Sequence, residues 1–158
     1  MENEKQKFMK RAALLAQENI DAGKGGPFGA VIVKNGEVIA EGANHVTTWS
    51  DPTAHAEVVA IREACEKLGG FQLDGCELYT SCEPCPMCLG AIYWARPEKV
   101  YYSSTAEDAK NIGFDDAFIY EEIAKEHTAR KISFEHFVVP EAQKVFDEWV
   151  SKQDKIEY

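Results

Sequence analysis

The stretch "AVIVKNGEVIAEG", residues 30–42, sets two short β-rich runs on either side of Asn35-Gly36. That dipeptide suits a type I′ turn, in which both central residues take positive φ, so the segment predicts a tight antiparallel hairpin. The period then changes. "TAHAEVVAIREACEKLGG" repeats Val58, Ile61, Ala64, Cys65 and Leu68 at helical spacing, and Gly69-Gly70 stop it. "CELYTS" reads as a short strand whose first residue, Cys76, falls at a turn, "CPMCLGAIYWARP" as a helix closed by Pro97, and "KVYYSS" as another strand. A hairpin followed by helix, strand, helix and strand predicts a central sheet covered by helices.

The flanks are read with the same rules. Residues from about Lys5 to Ala22 carry Phe8, Ala12, Leu15 and Ala16 at helical spacing and end in "AGKGGPFG". In the last third, "DDAFIYEEIAKEH" and "EAQKVFDEWVSKQ" look helical, with "KISFEHFVV" as a strand between them. No repeat, low-complexity tract or linker interrupts the 158 residues, and a single domain over 1–158 is expected.

Charge and composition remove several classes of function. The formal net charge is −10, and the segment from Glu107 onward carries 13 acidic against 7 basic residues. Phosphate contacts need Lys and Arg, so no nucleic-acid partner is expected. No run approaches the roughly 20 apolar residues of a membrane span, and the first residues lack a signal peptide's apolar stretch. A cytoplasmic location is expected, where clustered cysteines more often bind metal or do chemistry than form disulfides.

Three of the five cysteines fall in "SCEPCPMCLG": Cys82, Cys85 and Cys88. Cys85 and Cys88 form a C-x-x-C at a helix start, facing one side near the positive end of the dipole. A redox pair has the same spacing. "HAE" at His55–Glu57, opening the preceding helix, favours metal instead. His55, Cys85 and Cys88 make three zinc donors and leave a fourth position open to water, with Glu57 placed to reach that water. Adding Cys82 would give a closed structural site, but three donors suffice and Glu57 would then have no role; Cys82 is read as a packing or supporting residue. Cys65 and Cys76 are read as buried thiols.

The order H-x-E…P-C-x-x-C is the signature of zinc-dependent base deaminases. Together with "PFGAVIV", "DPTAHAEV", "SCEPCPMCLGAIYWARP" and "GFDD", it makes the chain resemble the cytidine-deaminase-like superfamily, and within it the small bacterial guanine deaminases. The resemblance implies a three-layer α/β/α sandwich with a mixed central sheet, one Zn2+ per subunit, and hydrolysis of guanine to xanthine and ammonia. It also implies substrate contacts: Phe28 against the purine plane, Asn44 and Asp116 on the base edge, and Trp94 as a pocket wall, although helix core suits Trp94 better. Tyr158 would close the pocket of a homodimer that exchanges C-terminal segments.

Other readings share part of this pattern. A tRNA adenosine deaminase has the same zinc motif, but the −10 charge and the absence of a basic C-terminal cluster oppose it. A deaminase of cytosine or another amino-azine, and a non-catalytic zinc module, complete the alternatives.

Overall fold

The computed structural model describes residues 3–158. The chain runs through helix α1 (Glu4–Asp21), strands β1 (Gly29–Lys34) and β2 (Glu37–Ala43), and a short helix α2 (Val46–Trp49). Helix α3 (Ala56–Leu68), strand β3 (Cys76–Cys82), helix α4 (Pro86–Ala95) and strand β4 (Lys99–Ser104) follow. Helices α5 (Ala106–Asn111), α6 (Ala117–Ala124) and α7 (Pro140–Ser151) complete it. Chain contacts divide these elements between a unit over Met1–Ala117 and a second over Phe118–Tyr158.

In the first unit the sheet order is β2-β1-β3-β4. The hairpin forms as expected: β1 and β2 are antiparallel, and Asn35 and Gly36 take φ of 52° and 78°. β3 is antiparallel to β1 and parallel to β4, so the sheet is mixed. Alternation along β1 separates two apolar layers. Ala30 and Ile32 pack with Leu78 against Ala56, Ala60 and Ala64 of α3 and Ile92 and Ala95 of α4. Val31 and Val33 face the other way and pack with Tyr79 against Phe8 of α1. Helix, sheet and helices make three layers, the expected α/β/α sandwich.

Helix ends follow local chemistry. Asn3 and Gln6 form a reciprocal capping box at the start of α1. α3 stops at Gly69 in the left-handed region, φ 68°, and α4 stops at Arg96 before Pro97 can continue it. Cys76 is the first residue of β3 and fully buried, and the turn before it closes at Gly75, φ 72°.

The second unit holds most of α6, a 3-10 turn at His127–Ala129, and α7. Arg130 donates from Nε to the Glu122 carbonyl at 3.0 Å and lies over the Phe134 ring. Residues 131–139, expected as a strand, have irregular backbone and pair with no strand among the described residues. Their β-rich composition marks an extended segment, but a strand also requires a neighbouring ladder. No helix among the described residues is long and apolar enough to cross a membrane.

Candidate metal centre and substrate cavity

β2 and β3 are both antiparallel to β1, so they run parallel to each other and to β4. Helices α3 and α4 therefore begin beyond the carboxyl ends of β2 and β3, the usual crevice for ligands on such sheets. Gly42 lets α3 approach β2, since a Cβ there would overlap the Ala56 carbonyl oxygen. Asp51 fixes the turn into α3: its Oδ1 accepts from the Thr53 amide at 2.8 Å and the Thr53 hydroxyl at 2.7 Å. Both arrangements serve His55, the N-cap of α3.

His55 Nδ1 lies 3.5 Å from Cys85 Sγ and 3.5 Å from Cys88 Sγ. Tetrahedral zinc with Zn–S of about 2.3 Å and Zn–N of about 2.0–2.1 Å separates its nitrogen and sulfur ligands by about 3.6 Å. The three donors thus already stand at zinc-ligand spacing, one imidazole and two sulfurs within mutual reach. Cys85 is the N-cap of α4 and its Sγ accepts from the Cys88 amide at 3.5 Å. Hydrogen bonding from Cys88 draws the Cys85 thiol down to about 4, and the same interaction pushes Cys88 up. Hydrogen bonding to Cys85 raises His55.

Glu57 follows in the first turn of α3 and is 6% exposed. Its Oε2 accepts from Cys88 Sγ at 3.4 Å and its Oε1 from the Thr80 hydroxyl at 3.2 Å. Burial pushes its carboxyl above the usual range, as suits a group that takes up and returns a proton.

A cavity of about 500 Å³ opens over these groups, lined also by Phe28, Asn44, Glu83, Phe114 and Asp116. Phe28 and Phe114 meet edge to face, centroids 4.9 Å apart. Asn44 is buried, and its Oδ1 accepts from the Gly26 and Val46 amides at 3.3 and 3.2 Å. With that oxygen engaged by the backbone, the group Asn44 offers the cavity is its NH2 donor. Asp116 is half-buried, and desolvation followed by the nearby Cys85 charge raises its carboxyl.

Several residues that shape the site escaped the sequence. Asn19, buried on α1, donates from Nδ2 to the carbonyls of Gly26 and Asn44, both at 2.9 Å. Glu83 accepts at Oε2 from the Ala106 amide at 2.8 Å, holding the start of α5 beside the cavity. Thr80 and Phe114 also escaped it. α5 did leave a signal, because Thr105 and Asp108 form the T-x-x-D capping box.

Three other residues considered from the sequence stand apart. Cys82 lines the cavity, but its Sγ points to the Thr105 carbonyl at 3.8 Å and it is outside the metal-ligand set. Burial pushes its thiol up to about 11. Trp94 is 62% exposed on α4 and does not line the cavity, so the helix-core reading fails for it. Tyr158 belongs to the second unit and is exposed.

The fold and its donor set define a zinc-dependent hydrolytic deaminase. Residues 2–104 match the cytidine and deoxycytidylate deaminase zinc-binding region, and the chain belongs to that family. It is 60% identical over 151 residues to a guanine deaminase of Bacillus subtilis strain 168, covering 96% of this chain and 97% of that one. An X-ray structure of guanine deaminase from Bacillus subtilis is 57% identical, with a TM-score of 0.96 over 100% of this chain and 99% of that one. A tRNA-specific adenosine deaminase of Aquifex aeolicus is 40% identical over 149 residues, 94% of this chain and 95% of its own.

Proposed function

We propose that the protein hydrolyses guanine to xanthine and ammonia, with zinc held by His55, Cys85 and Cys88 and with Glu57 moving the protons. The near full-length likeness to the Bacillus guanine deaminase carries the substrate. The cavity supports it by setting the Asn44 NH2 and the Asp116 carboxylate around one space, a donor and an acceptor for an aminopurine edge. Phe28 and Phe114 supply apolar rings for the base.

When bound, zinc brings the pKa of a coordinated water from 15.7 to about 7 and so supplies a nucleophile at neutral pH. Glu57 takes the water proton at Oε2, the oxygen beside Cys88, and delivers it to the ring nitrogen next to the amine-bearing carbon. Glu57 then takes the second water proton from the hydroxyl now on that carbon and passes it to the amine; the C–N bond breaks as the carbonyl forms, and water and guanine leave as xanthine and ammonia. Asn44 and Asp116 hold the base edge meanwhile, and the phenylalanines keep bulk water from its faces.

The tRNA reading has the Aquifex relative in its favour. Against it, the cavity is lined by Glu57, Glu83, Asp115 and Asp116 and by no Lys or Arg, which disfavours a phosphate backbone. Incubation with guanine, adenine, cytosine and a tRNA anticodon stem, with ammonia measured, separates the readings. Release from guanine is expected; release from the tRNA stem alone rejects the proposal.

The protein acts in the cytoplasm as a single deaminase domain over residues 1–158, in a homodimer that exchanges C-terminal segments. In support, no residue of Phe118–Tyr158 is buried, and Ile132, Phe137, Val138, Phe146 and Val150 are exposed. A second copy of the chain would cover these apolar side chains, and Tyr158 and Trp94 would meet substrate only in that assembly. Five cysteines outside any disulfide fit a reducing compartment.

A further inference from the structure

Thr80 is 1% exposed on β3, between Ala30 of β1 and Tyr102 of β4. It shares its strand face with Cys76 and Leu78, which pack into the apolar layer against α3 and α4. A hydroxyl in that row is retained only if it is bonded. Its Oγ1 stands 3.2 Å from Glu57 Oε1 and 3.1 Å from the Cys82 carbonyl oxygen, so its single proton is shared between two acceptors.

We propose that Thr80 is a positioning residue for deamination: its hydroxyl holds Oε1 of Glu57 in the sheet, keeping Oε2 on the side of the metal donors and the cavity. Glu57 has two side-chain hydrogen-bond partners, Thr80 on Oε1 and Cys88 Sγ on Oε2. Cys88 belongs to the metal-ligand set, so Thr80 supplies the hold that does not depend on the metal. The strand makes that hold rigid, because β3 is paired on both sides at Thr80. A carboxylate anchored at one oxygen keeps the other in the geometry that proton transfer requires. A hydrophobic side chain of the same shape would fill the space and leave Glu57 free to turn.

The test compares wild type, Thr80→Val and Thr80→Ser for kcat and KM per zinc-loaded chain, zinc content and melting temperature. The assay rests on the guanine reading, so adenine, cytosine and a tRNA stem are run in parallel. Thr80→Val is expected to keep its zinc and KM and to lose kcat by about 10- to 100-fold, the loss of one hydrogen bond to a charged group. Thr80→Ser is expected to recover most of it. An unchanged kcat per zinc-loaded Thr80→Val chain overturns the proposal, even if its melting temperature falls, because packing alone would then be the role. So does a loss that Thr80→Ser does not recover. If wild type spares guanine but deaminates another base, the substrate reading fails and the same kcat ratio is read on that base. If wild type deaminates nothing, both fail.

Discussion

Cys88 Sγ lies 3.4 Å from Glu57 Oε2, so a thiol of the candidate metal cluster and a buried carboxylate are neighbours although 31 residues separate them in sequence. The contact exists because α3 and α4 both start at the carboxyl edge of one sheet and direct their first turns into one crevice. The glycine at position 42 and the turn at Asp51 bring the α3 end close enough.

Replacing Glu57 with Gln keeps the shape of the side chain but removes its capacity to take a proton. Zinc content is expected to stay at one per chain, while turnover falls by at least about 100-fold. Atomic absorption alongside an ammonia assay reads both quantities on one sample.

The two thiol classes should separate on metal content. Cys85→Ser is expected to lose zinc on dialysis, since Cys85 stands 3.5 Å from His55 Nδ1 in the donor set. Cys82→Ser is expected to keep it, because that thiol faces the Thr105 carbonyl. Zinc lost equally from both variants would point to a closed four-ligand site.

Asn19→Ala leaves the carbonyls of Gly26 and Asn44 without their buried donor. A stability loss of about 2 kcal/mol is expected by denaturant titration. A rise in KM should accompany it, because the "GKGGPFG" loop and Asn44 lose their tie to α1.

Arg11 grips Glu41 with two hydrogen bonds of 2.7 Å, from Nε and Nη2, and holds its carboxyl below the usual range. A depressed carboxylate stabilises the fold above its unfolded pKa, and that stabilisation is lost as pH falls through the lower folded value. With both side chains about a third exposed, solvent screening keeps the effect near 0.5–1 kcal/mol. Glu41→Gln should therefore melt earlier than wild type at pH 7, and the gap should close as pH drops below about 4.5.

Much of the first unit was legible because its signals are local. Asn35-Gly36 specifies a turn by φ alone, apolar periods specify α3 and α4, and H-x-E with C-x-x-C names the three donors. Thr80, Asn19 and Phe114 were not legible, since each acts through a partner 23 to 86 residues away that only the sheet brings close. The segment at 131–139 had the composition of a strand but no neighbour to pair with among the described residues. Trp94 sat on a helix too apolar for sequence to tell its buried face from its exposed one.

Exposed Phe137 and Phe146 give the dimer its own test. Sedimentation equilibrium is expected to return twice the chain mass for wild type and one chain mass for Phe137→Asp with Phe146→Asp. Equal masses for the two proteins would remove the support drawn from these side chains.

The central claim is tested most directly by following guanine through chelation and zinc restoration. Wild type is expected to convert guanine to equal amounts of xanthine and ammonia, to stop when stripped of metal, and to resume when one equivalent of Zn2+ is returned. Guanine left unchanged by the zinc-loaded protein would contradict the account.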